Sequence, residues 1–563
     1  MTAAEPIQPD PLWWTRRRII AAALCAIALA GAAFVYRFNA LDGSLGGFTN
    51  DQFADLMRAE MMLRGEQPLR DFADAELRGA WPALSYAIPA WAQQLGGRTL
   101  LPEAYVTVGA IALGHALMFL LVLELSKSWL VAFLATLLAI AMEPRLYSYQ
   151  KVLMLTAGAV AIRWVMLQPS IARLGAAALT TAVATLFRHD GGVYVGAAMI
   201  AGLVARDAGA WPVVARRVGV YAGLTALCLL PSAIWVQVYE GIPSYVTNNL
   251  DTIAQEAART RLRVAPLSWA LGSFSADHLV VVTYYAFWAV VAIGGAVLAT
   301  RVSGGTVHRL TPAERGSAVG LLAMALLGNQ FLLRDSLLAR FGDAVVPIAV
   351  MAAWTVGAAS AFDRLALRRL GTVIPVALLS LMLSAAWVVA DVGDALDDTG
   401  LTRSWSDVAA QFDSVSDNLR RQPPADWSTF TARGTLIAAR YIAECTRPDD
   451  HVLVAAEAPE IPFYARRRFA AGQATVSLSM YTSEDSQRRA IAQLASQSVP
   501  IVLVNANRIE VDFMRAYPLL ARYVMTHYRR AGTIDAGMQF VVYVSTERQP
   551  QRLDPHLGLP CFR

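Results

Sequence analysis

Apolar segments recur through roughly the first 390 residues of this 563-residue chain, many of them long enough to cross about 30 Å of hydrocarbon as a helix. No other feature constrains the fold as much, because a backbone in lipid must satisfy its own hydrogen bonds, and a helix does so within one segment. We read helices at about 19–36, 104–125, 129–142, 151–167, 174–187, 191–205, 217–238, 280–299, 317–333, 344–360 and 371–390. A hydrophobic content of 56% and a mean hydropathy of +0.42 agree with a polytopic membrane protein and argue against an ordinary soluble fold of this size. Arg16, Arg17 and Arg18 ahead of the run Ile19 to Val35 would also suit a secretory signal, but in a polytopic chain this segment is expected to remain as the first span.

Basic residues orient the spans. With a cytoplasmic N-terminus, the inside loops hold Arg16 to Arg18, Lys127, Arg173, Arg206, Arg216, Arg217, Arg301, Arg309, Arg315, Arg364, Arg368 and Arg369, while Arg259, Arg261 and Arg263 break the pattern. Eleven spans then leave the segment after Ala390 outside. There Asp391, Asp394, Asp397 and Asp398 open a polar region with helical stretches near 405–421 and 432–445 and β-type runs at His451–Ala455, Ile501–Asn505 and Gln539–Val544. The expected organisation is a transmembrane module over 1–390, with a first external loop at about 37–103, and an extracytoplasmic α/β domain over 391–563. The net charge of +5 gives no reason to expect nucleic acid as a partner.

On this topology the polar clusters at span ends collect on the outer face: Asp51 to Arg78, Glu143 to Lys151, Arg188-His189-Asp190, and Arg334 to Asp343. Charge at membrane depth is tolerated mainly at cavities or paired sites, so the clustering predicts one outward-facing site. Asp51 opens a helical pattern and suits either a helix-end acid or a general base. Lys151, one of only two lysines, suits either phosphate binding or snorkelling to the interface. Arg78, Arg145, Arg188, Arg334 and Arg340 are the further cation candidates, with pairing to Asp190, Asp335 and Asp343 as the structural alternative. His189 and Asp190 are residue types that a divalent metal accepts, but they are adjacent and no ligand set is complete; no cofactor is assigned, and a divalent metal is the one left open. Trp81 and Tyr86, with Trp91, suit sugar stacking or an interfacial aromatic belt. Cys445 and Cys561 both fall in the outer region, where a disulfide can persist, and are the candidate pair.

The order of motifs in the first loop also resembles a family. Asp51-Gln52, the Gly65-Glu66-Gln67-Pro68-Leu69-Arg70-Asp71-Phe72 turn, and Ala80-Trp81-Pro82-Ala83-Leu84-Ser85-Tyr86 leading to Leu95-Gly96-Gly97 resemble the first external loop of the GT-C glycosyltransferase superfamily. The nearest likeness is to the branch of protein O-mannosyltransferases and lipid A aminoarabinose transferases. Tyr441-Ile442-Ala443-Glu444, Asp449 to Val454 and Pro462 to Arg467 resemble a recurring C-terminal segment of the same enzymes. The resemblance implies a polyprenyl-phosphate sugar donor and a catalytic acid at Asp51, with Asp71 in the substrate loop. Two departures stand out. Gln52 replaces the second acid of many protein O-mannosyltransferases, and Trp81 replaces the lysine that precedes the proline in aminoarabinose transferases, so another cation must hold the donor phosphate.

The expected protein is therefore an inverting transferase of the bacterial cytoplasmic (inner) membrane, surrounded by membrane lipids, that moves a sugar from polyprenyl phosphate to a hydroxyl of a lipid, glycan or protein acceptor. A flippase or transporter of lipid-linked saccharides, or a non-catalytic envelope-assembly protein, is the rival; transporters more often show repeats and mid-membrane polar sites.

Overall fold

The structure, a computed structural model, describes residues 15–41, 48–72, 84–143, 146, 149–259, 263–303, 310–334, 337–422, 434–474, 476, 482–506, 509–536 and 538–563. The N-terminal helices are α1 (Arg16–Asn39), α2 (Asn50–Leu63), α3 (Leu84–Gly96), α4 (Leu100–Ser126), α5 (Trp129–Ala141), α6 (Tyr149–Leu167), α7 (Ile171–Phe187) and α8 (His189–Arg206). They continue through α9 (Trp211–Tyr239), α10 (Ile242–Arg259), α11 (Leu267–Ala270), α12 (Ala276–Ser303), α13 (Pro312–Gly328), α14 (Leu338–Ala359) and α15 (Leu365–Val389). Every apolar segment expected to be helical is helical. Seven of these helices are long and apolar enough to cross a membrane, among them α1, α4, α9 and α14. At 13 residues, α5 is only about 20 Å long and falls short of the hydrocarbon thickness on its own.

Burial separates the centre of this bundle from its rim. In α14, 89% of the apolar window is buried, whereas in α9 the share is 11% and Leu227, Leu230, Ile234 and Val238 face outward. Exposed aliphatic side chains of that kind are what a lipid-facing helix presents. The small residues of α14 let its neighbours approach closely. At Gly357 a Cβ would stand 2.0 Å from the Leu125 carbonyl oxygen, so any side chain there would force α14 away from α4.

The C-terminal region adds α16 (Val392–Asp398), α17 (Trp405–Arg420), α18 (Gly434–Cys445), α19 (Glu460–Ala465), α20 (Glu484–Ser496), α21 (Ile509–Ala516) and α22 (Pro518–His527). Its strands are β1 (His451–Ala455), β2 (Arg468–Phe469), β3 (Ile501–Asn505), β4 (Tyr528–Ala536), β5 (Met538–Ser545), β6 (Arg552–Leu553) and β7 (Pro560–Cys561). Five of them form one sheet in the order β2-β1-β3-β5-β4, with β2, β1 and β3 parallel and β5 and β4 antiparallel. Both β1 and β3 are buried at every position, as central strands covered on two faces should be. Cys445, at the end of α18, is joined to Cys561 on β7, and both are fully buried.

One face of this sheet is covered by α20 and α22. The other shares a single apolar core with the first loop, in which Phe38, Phe53, Leu56, Met57, Phe72 and Leu101 pack with Val452, Phe463 and Leu503. Phe53 meets Phe463 edge-on at 5.4 Å, and Phe72 meets Phe469 at 5.8 Å. The first loop is thus held between the helical bundle and the sheet.

Candidate active site

Asp51 stands in the first turn of α2, half-buried, behind Thr49 as the N-cap residue. A carboxylate there is favoured by the helix dipole whatever else it does. Beside this end of α2 opens a cavity of about 620 Å³, lined by Arg37, Asn39, Thr49, Glu143, Asp391 and Asp394, among others. Glu143 is drawn to the end of α1, accepting from the Tyr36 hydroxyl at 2.5 Å and pairing with Arg37 at 3.2 Å. Asn39 is anchored through its amide nitrogen to the carbonyls of Thr399 and Val408, and its buried Oδ1 makes no hydrogen bond.

Beneath α2 lies a buried polar layer. Gln52 donates to Glu103 on α4, which also accepts from Thr107 at 3.0 Å. One turn on, Asp55 pairs with Arg58 at 3.3 Å, both about 1% exposed, and the Arg58 guanidinium lies 5.7 Å over the ring of Tyr86 on α3. Tyr86 is completely buried, so it stacks on an arginine rather than presenting its ring to an interface. Sequence reasoning passed over Glu103, Asp55 and Arg58. The signal for Glu103 was an acid in the first turn of a long apolar segment, a placement that demands a partner.

The cation candidates divide. Arg78, Trp81 and Arg145 lie outside the described residues. Lys151 does not snorkel: it is 1% exposed, pairs with Asp343 on α14, and sits 4.7 Å over the ring of Phe331. Arg340 approaches the same carboxylate at 3.9 Å. Phe331 packs edge-on against Tyr194 at 5.4 Å, which lies within electrostatic reach of Asp190, Arg188 and Arg334. Arg188 grips Asp190 with two hydrogen bonds of 3.0 and 2.8 Å, and Asp190 also feels the charge of Lys151. Six of the expected residues, Lys151, Arg188, His189, Asp190, Arg334 and Arg340, therefore gather at one place, with Asp343 as the partner of Lys151 that the sequence did not reveal. Arg188, Arg334 and Arg340 are only half-buried.

The first loop reaches this cluster through its turn. His189 is hydrogen-bonded to the Tyr245 hydroxyl at 2.6 Å, and Leu69 packs on Tyr245 and Val236. Trp235 donates to the Pro68 carbonyl at 2.9 Å. Leu69 holds a left-handed backbone at φ 65°, and Asp71 closes the turn by accepting from Gln67 N at 2.8 Å and from Arg70 at 2.6 Å. Asp71 is thus engaged in shaping the loop. Burial pushes the Glu66 carboxyl above the usual carboxylate range. Among the described residues, the one metal-like grouping of side chains is Cys445, Asp554 and Cys561, whose sulfurs are spent on the disulfide.

No family model matches the chain, and no curated protein matches it. Among solved structures it is similar to ArnT from Cupriavidus metallidurans bound to undecaprenyl phosphate, at 13% identity over 96% of this chain and 100% of that one, with a TM-score of 0.47. It is likewise similar to the apo state of that ArnT, at 15% identity over 94% and 100% of the two chains, with a TM-score of 0.48.

Proposed function

We propose that this chain is an inverting GT-C-type glycosyltransferase that moves a sugar from a polyprenyl phosphate to a hydroxyl of a lipid, glycan or protein acceptor on the outer face of the cytoplasmic membrane. The observation that carries the reading is the gathering of Lys151, Arg188, Arg334 and Arg340 at the place where the first-loop turn meets Tyr245 and His189. In the reaction the acceptor oxygen bonds to the anomeric carbon, the bond from that carbon to the phosphate oxygen breaks, and the electron pair leaves on the lipid phosphate. The acceptor proton passes to the Asp51 carboxylate. Arginines aimed at a phosphate stabilise the charge that develops on it, and their forked geometry suits its oxygens. Arg188, Arg334 and Arg340 are exposed enough to make such contacts, while Lys151 is buried and paired with Asp343.

The test is transfer of radiolabelled sugar from a panel of polyprenyl-phosphate monosaccharides by the purified protein in lipid, with Asp51→Asn alongside. Loss of a general base should lower the rate by roughly 10²–10⁴-fold while donor binding survives. Normal transfer by Asp51→Asn would reduce Asp51 to a helix-end acid. Movement of lipid-linked sugar across the bilayer without transfer would establish a flippase instead.

A further inference from the structure

A second pocket lies where the first-loop turn meets the C-terminal sheet. It is an open cavity of about 440 Å³, lined by Arg64, Glu66, Arg70, Asp71, Arg468 and Gln493, among others. Its three guanidinium groups come from two chain segments about 400 residues apart, and each faces a carboxylate. Arg64 is held by Glu60 at 2.7 Å and reaches the Arg466 carbonyl at 3.4 Å. Arg70 is held by Asp71 at 2.6 Å and by the Gly65 carbonyl at 3.1 Å. Arg468, on β2, faces Glu66 at 3.5 Å, and its buried Nε makes no hydrogen bond. A guanidinium carries five N–H donors, more than these contacts use.

The two sides are also tied directly. Gln493 on α20 donates to the Asp71 carbonyl at 3.1 Å. The backbone makes room for it: Gly472 has φ +67°, and a Cβ there would stand 2.1 Å from the Gln493 Oε1. Three arginines against Glu66 and Asp71 leave the lining one positive charge in excess. Asp71 is already matched by Arg70, and burial disfavours the charge on Glu66, so an arriving anion meets arginine more than carboxylate.

We propose that this pocket is a phosphoryl-binding site that clamps the first-loop turn to the C-terminal sheet, taking inorganic phosphate or a phosphate monoester, presented from solution or on a lipid headgroup. Its lining shares no residue with the Lys151 cluster, and the proposal does not depend on the transfer reaction. A ligand bound to the native state alone raises the unfolding temperature with its concentration.

The experiment is thermal unfolding of the full chain in phosphatidylcholine nanodiscs, titrated with inorganic phosphate and, at matched ionic strength, with chloride, and repeated in nanodiscs containing phosphatidic acid. The expected result is a saturating rise with phosphate beyond that with chloride, or a rise specific to phosphatidic acid. The first outcome identifies a solution ligand and the second a headgroup. Arg468→Gln and Arg70→Gln should each weaken the effect roughly tenfold, while Arg420→Gln, which removes an exposed arginine that pairs with Asp417 outside the pocket, should leave it intact. The side chain of Arg70 is 43% exposed, so Arg70→Gln keeps the test available if Arg468→Gln does not fold. Equal responses to phosphate and chloride with no effect of phosphatidic acid would overturn the proposal, as would a phosphoryl effect that both variants retain.

Discussion

The Lys151–Asp343 pair makes the most demanding prediction, because burial sets its size. The two side chains are 1% and 0% exposed, and they join α6 to α14 across 192 residues of sequence. Removing one partner of a buried pair strands a charge and costs about 3–5 kcal/mol, whereas replacing both with apolar groups of similar volume is often close to neutral. Lys151→Met should fall at the lower end of that range, since Arg340 at 3.9 Å remains to face Asp343. Asp343→Leu should fall at the upper end, because Lys151 then loses the buried carboxylate that faces it and is left over the ring of Phe331, in the more distant field of Asp190. The double variant Lys151→Met/Asp343→Leu should recover at least about 2 kcal/mol relative to the sum of the single losses. Reversible unfolding in mixed micelles titrated with SDS reads all three. A loss of about 4 kcal/mol corresponds to nearly a 10³-fold shift between folded and unfolded protein, well within its range. Single variants within about 1 kcal/mol of the natural chain, or strictly additive losses, would refute the reasoning that this pair is a dry, mutually dependent contact.

Two further outcomes concern the C-terminal region. Burial, aided by the nearby Arg468, pushes the His451 imidazole down to about 4 from its ordinary 6.5. The neutral ring is therefore favoured in the fold: its contribution is fully present above about pH 6.5, is lost as pH falls toward 4, and levels off below that. His451→Gln should flatten the pH dependence of unfolding in that window by up to one proton, and an unchanged slope would remove His451 as its source. Cys445–Cys561 closes a loop of 116 residues, so Cys445→Ser or reduction should lower stability by about 2–5 kcal/mol in denaturant unfolding, and no change on reduction of the natural chain would contradict a bonded pair.

Much of the helical framework was legible because lipid leaves a chain few choices. Each apolar segment read from the sequence is a helix, and β1 and β3 fall on the runs expected from continuous Val and Ile. Arg340 facing Asp343, and Arg188 gripping Asp190, were legible as pairs because each lies within three residues of its partner. The role of Lys151 was not. Its rarity marked it, but sequence offered phosphate binding or snorkelling and gave no sign that Asp343 would meet it in the bundle interior. The partner of Gln52 was equally out of view, since Glu103 belongs to the next long helix.

The sequence by itself determined which segments are helical, which short runs are strands, and which charges had to be accounted for. Those properties follow from periodicity and transfer energy, which are local. Tertiary structure decided the sheet order β2-β1-β3-β5-β4, the single core shared by the first loop and the sheet, the gathering of cations around Asp343 and Asp190, and the pocket bridged by Gln493 and Arg468. The contacts that build them join segments distant in the chain, and such contacts depend on how whole elements pack, which no window of sequence contains.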